Sequence, residues 1–168
     1  MSLKKTDQII IMIKYISILG ICLFTCISYA STSLNVKLEN ASTLNVQKDK
    51  HMKKIKLGEI NGYKTNCNNS YLVVWGIPKK FKHSSPQNNE VVFYNLNNKK
   101  LRVVKTSHAI FDVDFYKTED KAILSLATTH TEINLKTGEQ SDFLEISQTI
   151  FNQLEDCKNL TQFKRYKE

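Results

Sequence analysis

From Lys53 onward, apolar residues recur at every second position, and turn residues interrupt them about every 8–12 positions. Successive side chains of a strand point to opposite faces, so this period belongs to strands rather than helices. Ile55, Leu57 and Ile60 lead into Asn61-Gly62, a pair that favours a tight hairpin turn. Tyr71–Trp75 is rich in β-formers and is stopped by Gly76 and Pro78. After a polar loop, Lys79 to Asn89, come Val91–Leu96, an Asn97-Asn98 turn and Leu101–Val104. Ala109–Tyr116, a Thr118-Glu119-Asp120 turn, Ala122–Ala127 and Thr131–Leu135 complete the series, ended by Lys136-Thr137-Gly138. In Ala109–Tyr116, Phe111, Val113 and Phe115 are expected to face inward and Asp112 and Asp114 outward. The expectation is a mainly β fold, an antiparallel meander of about seven strands.

The period then changes to three and four across Phe143, Ile146, Ile150, Phe151, Leu154 and Cys157. Asp142 with Glu145 three positions later matches a capping box. One amphipathic helix is expected over residues 145–159, packed on the sheet.

Two stretches match each other. Val92-Phe93-Tyr94-Asn95-Leu96-Asn97-Asn98-Lys99-Lys100 parallels Thr131-Glu132-Ile133-Asn134-Leu135-Lys136-Thr137-Gly138-Glu139. The order of strand, turn, strand and Asn-containing edge hairpin resembles a β-propeller blade over residues 71–140. A closed propeller needs at least about four blades, and the residues after position 30 hold about three. The resemblance therefore implies a propeller-like open sheet or small sandwich rather than a ring.

The N-terminus carries an export pattern. Lys4 and Lys5 precede an apolar stretch that includes Ile9–Ile13 and then runs from Tyr15 to Tyr29, ending at Ser28-Tyr29-Ala30. This is the order of a secretory signal peptide over residues 1–30, cleaved at the small-residue exit. The rival is an uncleaved anchor that places the protein on a membrane; the run after Lys14 is short of the ~20 residues that span a bilayer. Lipid attachment at Cys22 or Cys26 is a third reading, but neither cysteine follows a small residue. A periplasmic or secreted location is expected, with the anchored form as the alternative. Residues 31–52 are polar and read as a leader of a composition that suits disorder; the alternation of Leu34, Val36 and Leu38 offers a strand instead. Residues 53–168 form the single β-rich domain.

Removal of the signal leaves Cys67 and Cys157, which an oxidising compartment would join. The bond would pin the helix end beside the Tyr71 strand. It also leaves 21 of 24 basic and 15 of 16 acidic residues, a net of +6. Residues 31–110 hold 14 basic and 4 acidic side chains, and residues 111–168 hold 7 and 11. That asymmetry suits an acidic partner.

Catalytic motifs are sparse. The four histidines, His51, His83, His108 and His130, are scattered, and no zinc array, nucleophile elbow or phosphate-binding glycine loop appears. No metal and no cofactor is expected. Ser107-His108 with Asp112 and Asp114 is the one constellation that could hydrolyse, and the two aspartates could share a cation. Recognition has better candidates: the loop Lys79-Lys80-Phe81-Lys82-His83 after Trp75, and Lys99, Lys100 and Arg102 on the following hairpin. Nucleic acid suits an exported protein poorly, and the aromatics are not interleaved as a stacking platform would require.

Size, one disulfide, a basic loop and no catalytic motif give the chain the general character of periplasmic immunity proteins. That resemblance implies a non-enzymatic protein-binding module whose partner is an acidic protein such as an antibacterial effector. The alternatives are a small exported hydrolase using His108 with Asp112 and Asp114, and a structural subunit of an envelope or surface assembly.

Overall fold

A computed structural model describes residues 33–80 and 88–157. The expected signal peptide, residues Phe81, Lys82 and His83, and the last two positions of the expected helix lie outside them.

The described chain is mainly β, with eleven strands in three antiparallel sheets. β1 (Leu34–Asn40), β2 (Thr43–Lys48) and β3 (His51–Lys56) form the first. β4 (Glu59–Thr65), β5 (Tyr71–Ile77), β6 (Asn89–Asn95) and β7 (Leu101–Thr106) form the second. β8 (Ile110–Phe115), β9 (Lys121–Leu126), β10 (His130–Asn134) and β11 (Gln140–Phe143) form the third. In each sheet, neighbours in sequence are neighbours in space, and none of the three closes into a barrel. A short helix, α1 (Gln148–Gln153), follows.

The sheets stack, and β5 shows why. Tyr71, Val73 and Trp75 point one way and meet Val91 and Phe93 together with Ile110, Val113, Phe115, Leu124 and Ile133 of the third sheet. Leu72 and Val74 point the other way and, with Val92 and Tyr94, meet Leu44, Val46 and Ile55 of the first sheet. A strand covered on both faces must be apolar at every position, hence the unbroken run from Tyr71 to Trp75. Each of these side chains contributes roughly 1.5–3 kcal/mol through burial, so the middle layer anchors both neighbours.

Of the residues read as a leader, 33–52 are instead β1, β2, the turn after it and the first two residues of β3, with residues 31 and 32 outside the described residues. Leu44 and Val46 are fully buried, with Leu34, Val36 and Leu38 packed at the margin. Only one face of this sheet is apolar, and that halves the signal visible in the sequence. Its other face carries Lys37, Glu39, Lys54 and Lys56; such a polar surface ends a stack.

Three other expectations are corrected. Asn61-Gly62 is no hairpin; it lies inside β4, where the register slips between Ile60 and Gly62. Asn61 is buried there, its amide 3.5 Å from Asn89 Oδ1. The bulge brings the backbones close: a Cβ on Gly76 would stand 1.9 Å from the Glu59 carbonyl oxygen. The turn itself falls at residues 66–70, where Asn66 Oδ1 accepts from the backbone N–H groups of Ser70 and Tyr71. Phe111 faces outward and is half exposed, because β8 also slips, between Ile110 and Asp112. Val113 and Phe115 do face inward.

The helix is shorter than the period suggested. Asp142 pairs in β11 and accepts from Thr131 Oγ1 at 2.6 Å, and Ser147 is the N-cap. Six residues cannot sustain a helix alone. This one is held by Lys117 N donating to Gln153 O, Glu155 N donating to Phe115 O, and Leu154 packed on Tyr116 and Ile123. Cys67 and Cys157 stand at bonding distance, their Cα atoms 5.4 Å apart, and tie the end of this segment to the turn that opens β5.

Candidate functional site

Up-and-down connection sends alternate turns to the same end of every sheet. Hydrogen bonds show that these ends coincide. Leu96 N, after β6, donates to Ser70 O in the β4–β5 turn, and Leu135 N, after β10, donates to Asp120 O in the β8–β9 turn. Lys48 at the end of β2 reaches Asn69 O at 3.0 Å and Asn97 Oδ1 at 2.7 Å. Lys99 Nζ lies 2.7 Å from His51 Nε2 at the start of β3. Arg102 of β7 bonds to the carbonyls of Lys136 and Thr137 in the β10–β11 turn, so turns from all three sheets share one end, which carries Lys48, Lys50, Lys99, Lys100, Arg102 and Lys136.

The β6–β7 and β10–β11 turns are built alike. Asn95 Oδ1 accepts from Asn97 N and Asn98 N, and Asn134 Oδ1 accepts from Lys136 N and Thr137 N. These side-chain acceptors hold the backbone that displays the lysines.

Between the two turns lies a cleft of about 710 Å³. Phe93, Leu135 and Tyr71 give it an apolar wall, and Lys100, Arg102 and Lys136 a cationic rim. Asp120 is the counter-charge: it pairs with Lys136, whose ammonium it holds above the usual lysine range. Burial, then the Asp120 carboxylate beside it, pushes the Tyr71 hydroxyl upward, so it stays neutral. Arg102 is committed to structure: its Nη1 donates to Thr137 O and its Nη2 to Lys136 O at 2.5 Å. It clamps the second sheet to the turn of the third, which corrects its reading as a residue free to meet a partner.

The other expected recognition residues divide. Lys79 and Lys80 are exposed, but they follow β5 at the opposite end from Lys99 and Lys100. A seven-residue strand separates the two ends by roughly 20 Å, so the two basic clusters are not one patch. Trp75 is fully buried in the core between the second and third sheets and is no anchor for a partner.

Ser107 and His108 lie in the exposed β7–β8 connection, where Ser107 Oγ is 3.0 Å from His108 Nδ1. A hydrolytic triad also needs a carboxylate to orient the imidazole. Asp112 and Asp114, however, face Lys64 of β4 at 3.5 and 2.8 Å. That ammonium sits where a shared cation would have to bind, and it joins the second and third sheets at their β4 and β8 edges.

A second serine–histidine pair was not anticipated: Ser125 Oγ is 3.3 Å from His130 Nδ1, and the His130 ring stacks on Phe143 at 5.6 Å. It arises from cross-strand register, Ser125 opposite His130 opposite Phe143, which no local pattern reveals. Lys48, Lys50 and Lys136 also belong to the basic end without a sequence signal, because they come from the β2–β3 turn of the first sheet and the β10–β11 turn of the third.

No protein-family model and no curated protein matches this chain.

Proposed function

We propose that this chain is an exported, non-enzymatic binding protein whose basic turn end docks an acidic protein surface, in the manner of a periplasmic immunity protein. The observation that carries the reading is the convergence of Lys48, Lys50, Lys99, Lys100 and Lys136 from turns of all three sheets. The turns are braced by hydrogen bonds between them, so little ordering entropy is lost on binding. The cleft beside them is floored by the edges of the buried side chains Phe93, Leu135 and Tyr71, a small apolar contact next to the partner's carboxylates. Charge would set the association rate and an apolar anchor most of the affinity. The signal-like N-terminus and the Cys67–Cys157 pair support an exported location.

The test compares two charge reversals on a partner recovered with the wild-type protein. Lys99→Glu with Lys100→Glu should weaken binding by tenfold or more and reduce its salt dependence. Lys79→Glu with Lys80→Glu, at the far end, should leave binding nearly unchanged. Equal losses from both pairs, or none from the first, would reject the turn end as the interface.

A further inference from the structure

The Cys67–Cys157 bond has a carboxylate beside it. Glu155 Oε2 accepts from Cys67 N at 2.8 Å and lies 3.7 Å from Cys157 Sγ. The two sulfurs and the carboxylate oxygen are all within 4.8 Å of one another. The sulfurs are spent on each other, so this is no metal site. Cys67 is exposed, whereas Cys157 is partly covered. Small cavities of about 200 and 110 Å³ open on either side of Glu155.

We propose that this cystine is a thiol–disulfide exchange site, attacked at Cys67 by a thiolate reductant, with Glu155 delivering a proton to the departing Cys157 sulfur. The cystine lies in the β4–β5 turn at the same end as the proposed docking surface, and the cavity beside Glu155 shares Tyr71 and Leu135 with that cleft, but its chemistry does not rest on the docking reading. A thiolate RS⁻ attacks Cys67 Sγ; the RS–Sγ bond forms, the Sγ–Sγ bond breaks, and its electron pair leaves on Cys157. The Glu155 carboxyl proton then neutralises that thiolate. A second thiol attacks the R-group sulfur of the mixed disulfide and releases Cys67. The sum is one cystine and two RSH giving two cysteine thiols and RSSR.

The surroundings suit a carboxyl that exchanges a proton. Burial pushes Glu155 above its ordinary range, against the opposing pull of the Cys67 N–H and of Lys64. Lys64 and Asp114 share the cavity on one side of it, with Asp156 next in the chain. Lys117, Glu119 and Asp120 line the other. The hydroxyls of Tyr71 and Tyr116, also there, are raised and remain neutral.

The test measures reduction of the full chain by dithiothreitol from about pH 5 to about pH 8, with each rate divided by the thiolate concentration. In the wild type, this quotient should rise several-fold toward acid pH as Glu155 gains its proton. Glu155→Gln keeps an acceptor for Cys67 N but carries no proton; its quotient should be flat, at the wild type's alkaline level. A flat wild-type profile would overturn the proposal. So would a flat Glu155→Gln profile at the wild type's acid level, since the carboxylate would then act only by repelling thiolate. Independently of any variant, acid-quenched reaction with glutathione should place the mixed disulfide on Cys67. Its appearance on Cys157 would reverse the assigned direction.

Discussion

Asn95 and Asn134 hold the same position in two successive sheets and do the same work. Each side-chain oxygen accepts from the backbone N–H groups two and three residues on. Each backbone carbonyl accepts from the N–H four residues on, at Lys99 and Gly138. Both of those residues have positive φ, 62° and 82°. The sequence match between the two stretches is therefore a repeated turn, and it repeats because each sheet is the same meander.

The shared turn makes a paired prediction. Asn95→Ala and Asn134→Ala should each cost about 1–2 kcal/mol, because two backbone donors lose their acceptor. Lys99→Gly should be neutral or stabilising by up to about 1 kcal/mol, since glycine alone enters the left-handed region without strain. Gly138→Lys should destabilise. Urea unfolding of the four variants checks both signs.

Gly76 is expected to resist any substitution. A methyl group there would collide with the Glu59 backbone across the β4 bulge, at 1.9 Å from the carbonyl oxygen and 3.0 Å from Asn61 N. Backbone cannot swing aside as a side chain would. Gly76→Ala should cost about 3 kcal/mol or more, read as a fall in the urea midpoint. A loss under about 1 kcal/mol would show that β4 slides freely on β5.

Glu155 also predicts a pH dependence of stability. Its folded value is raised above its ordinary 4.5, chiefly by burial. The folded state therefore binds its proton more readily than the unfolded state does. Its contribution is fully present below 4.5 and is lost as the pH climbs through the raised folded value. Glu155→Gln should flatten that part of the stability profile, so the variant gains on the wild type between about pH 4 and neutrality. Parallel profiles for the two proteins would refute the assignment.

These features differ in how far the chain alone announces them. The β class, most strand positions and the Asn-based turns follow from period-two alternation and from residues that tolerate positive φ, which are local properties. Cys67 and Cys157 pair because they are the two cysteines left beyond the apolar N-terminal stretch. The Asn61-Gly62 signal is equally local, yet it misleads. Whether such a pair turns or bulges depends on whether another strand lies alongside, and β5 does, with Gly76 making room.

The basic end was visible only in pieces. Lys99 and Lys100 announced themselves on a hairpin, but nothing in the sequence brings Lys48 of the first sheet or Lys136 of the third beside them. Trp75 read as a companion to a basic loop because a lone tryptophan next to lysines looks like an anchor; the third sheet buries it instead.

By its own pattern, the sequence determined an antiparallel β-protein with one cystine and a C-terminal helix, whose six-residue length only the structure set. The tertiary structure alone decided that the strands divide into three stacked sheets, with β5 sealed on both faces. It also decided that the Lys79 and Lys99 clusters lie apart and that Glu155 sits on the disulfide. The physical reason is range. Pleat and turn conformation are set within a few residues, whereas burial, charge grouping and the setting of a sulfur depend on contacts between segments tens of residues apart.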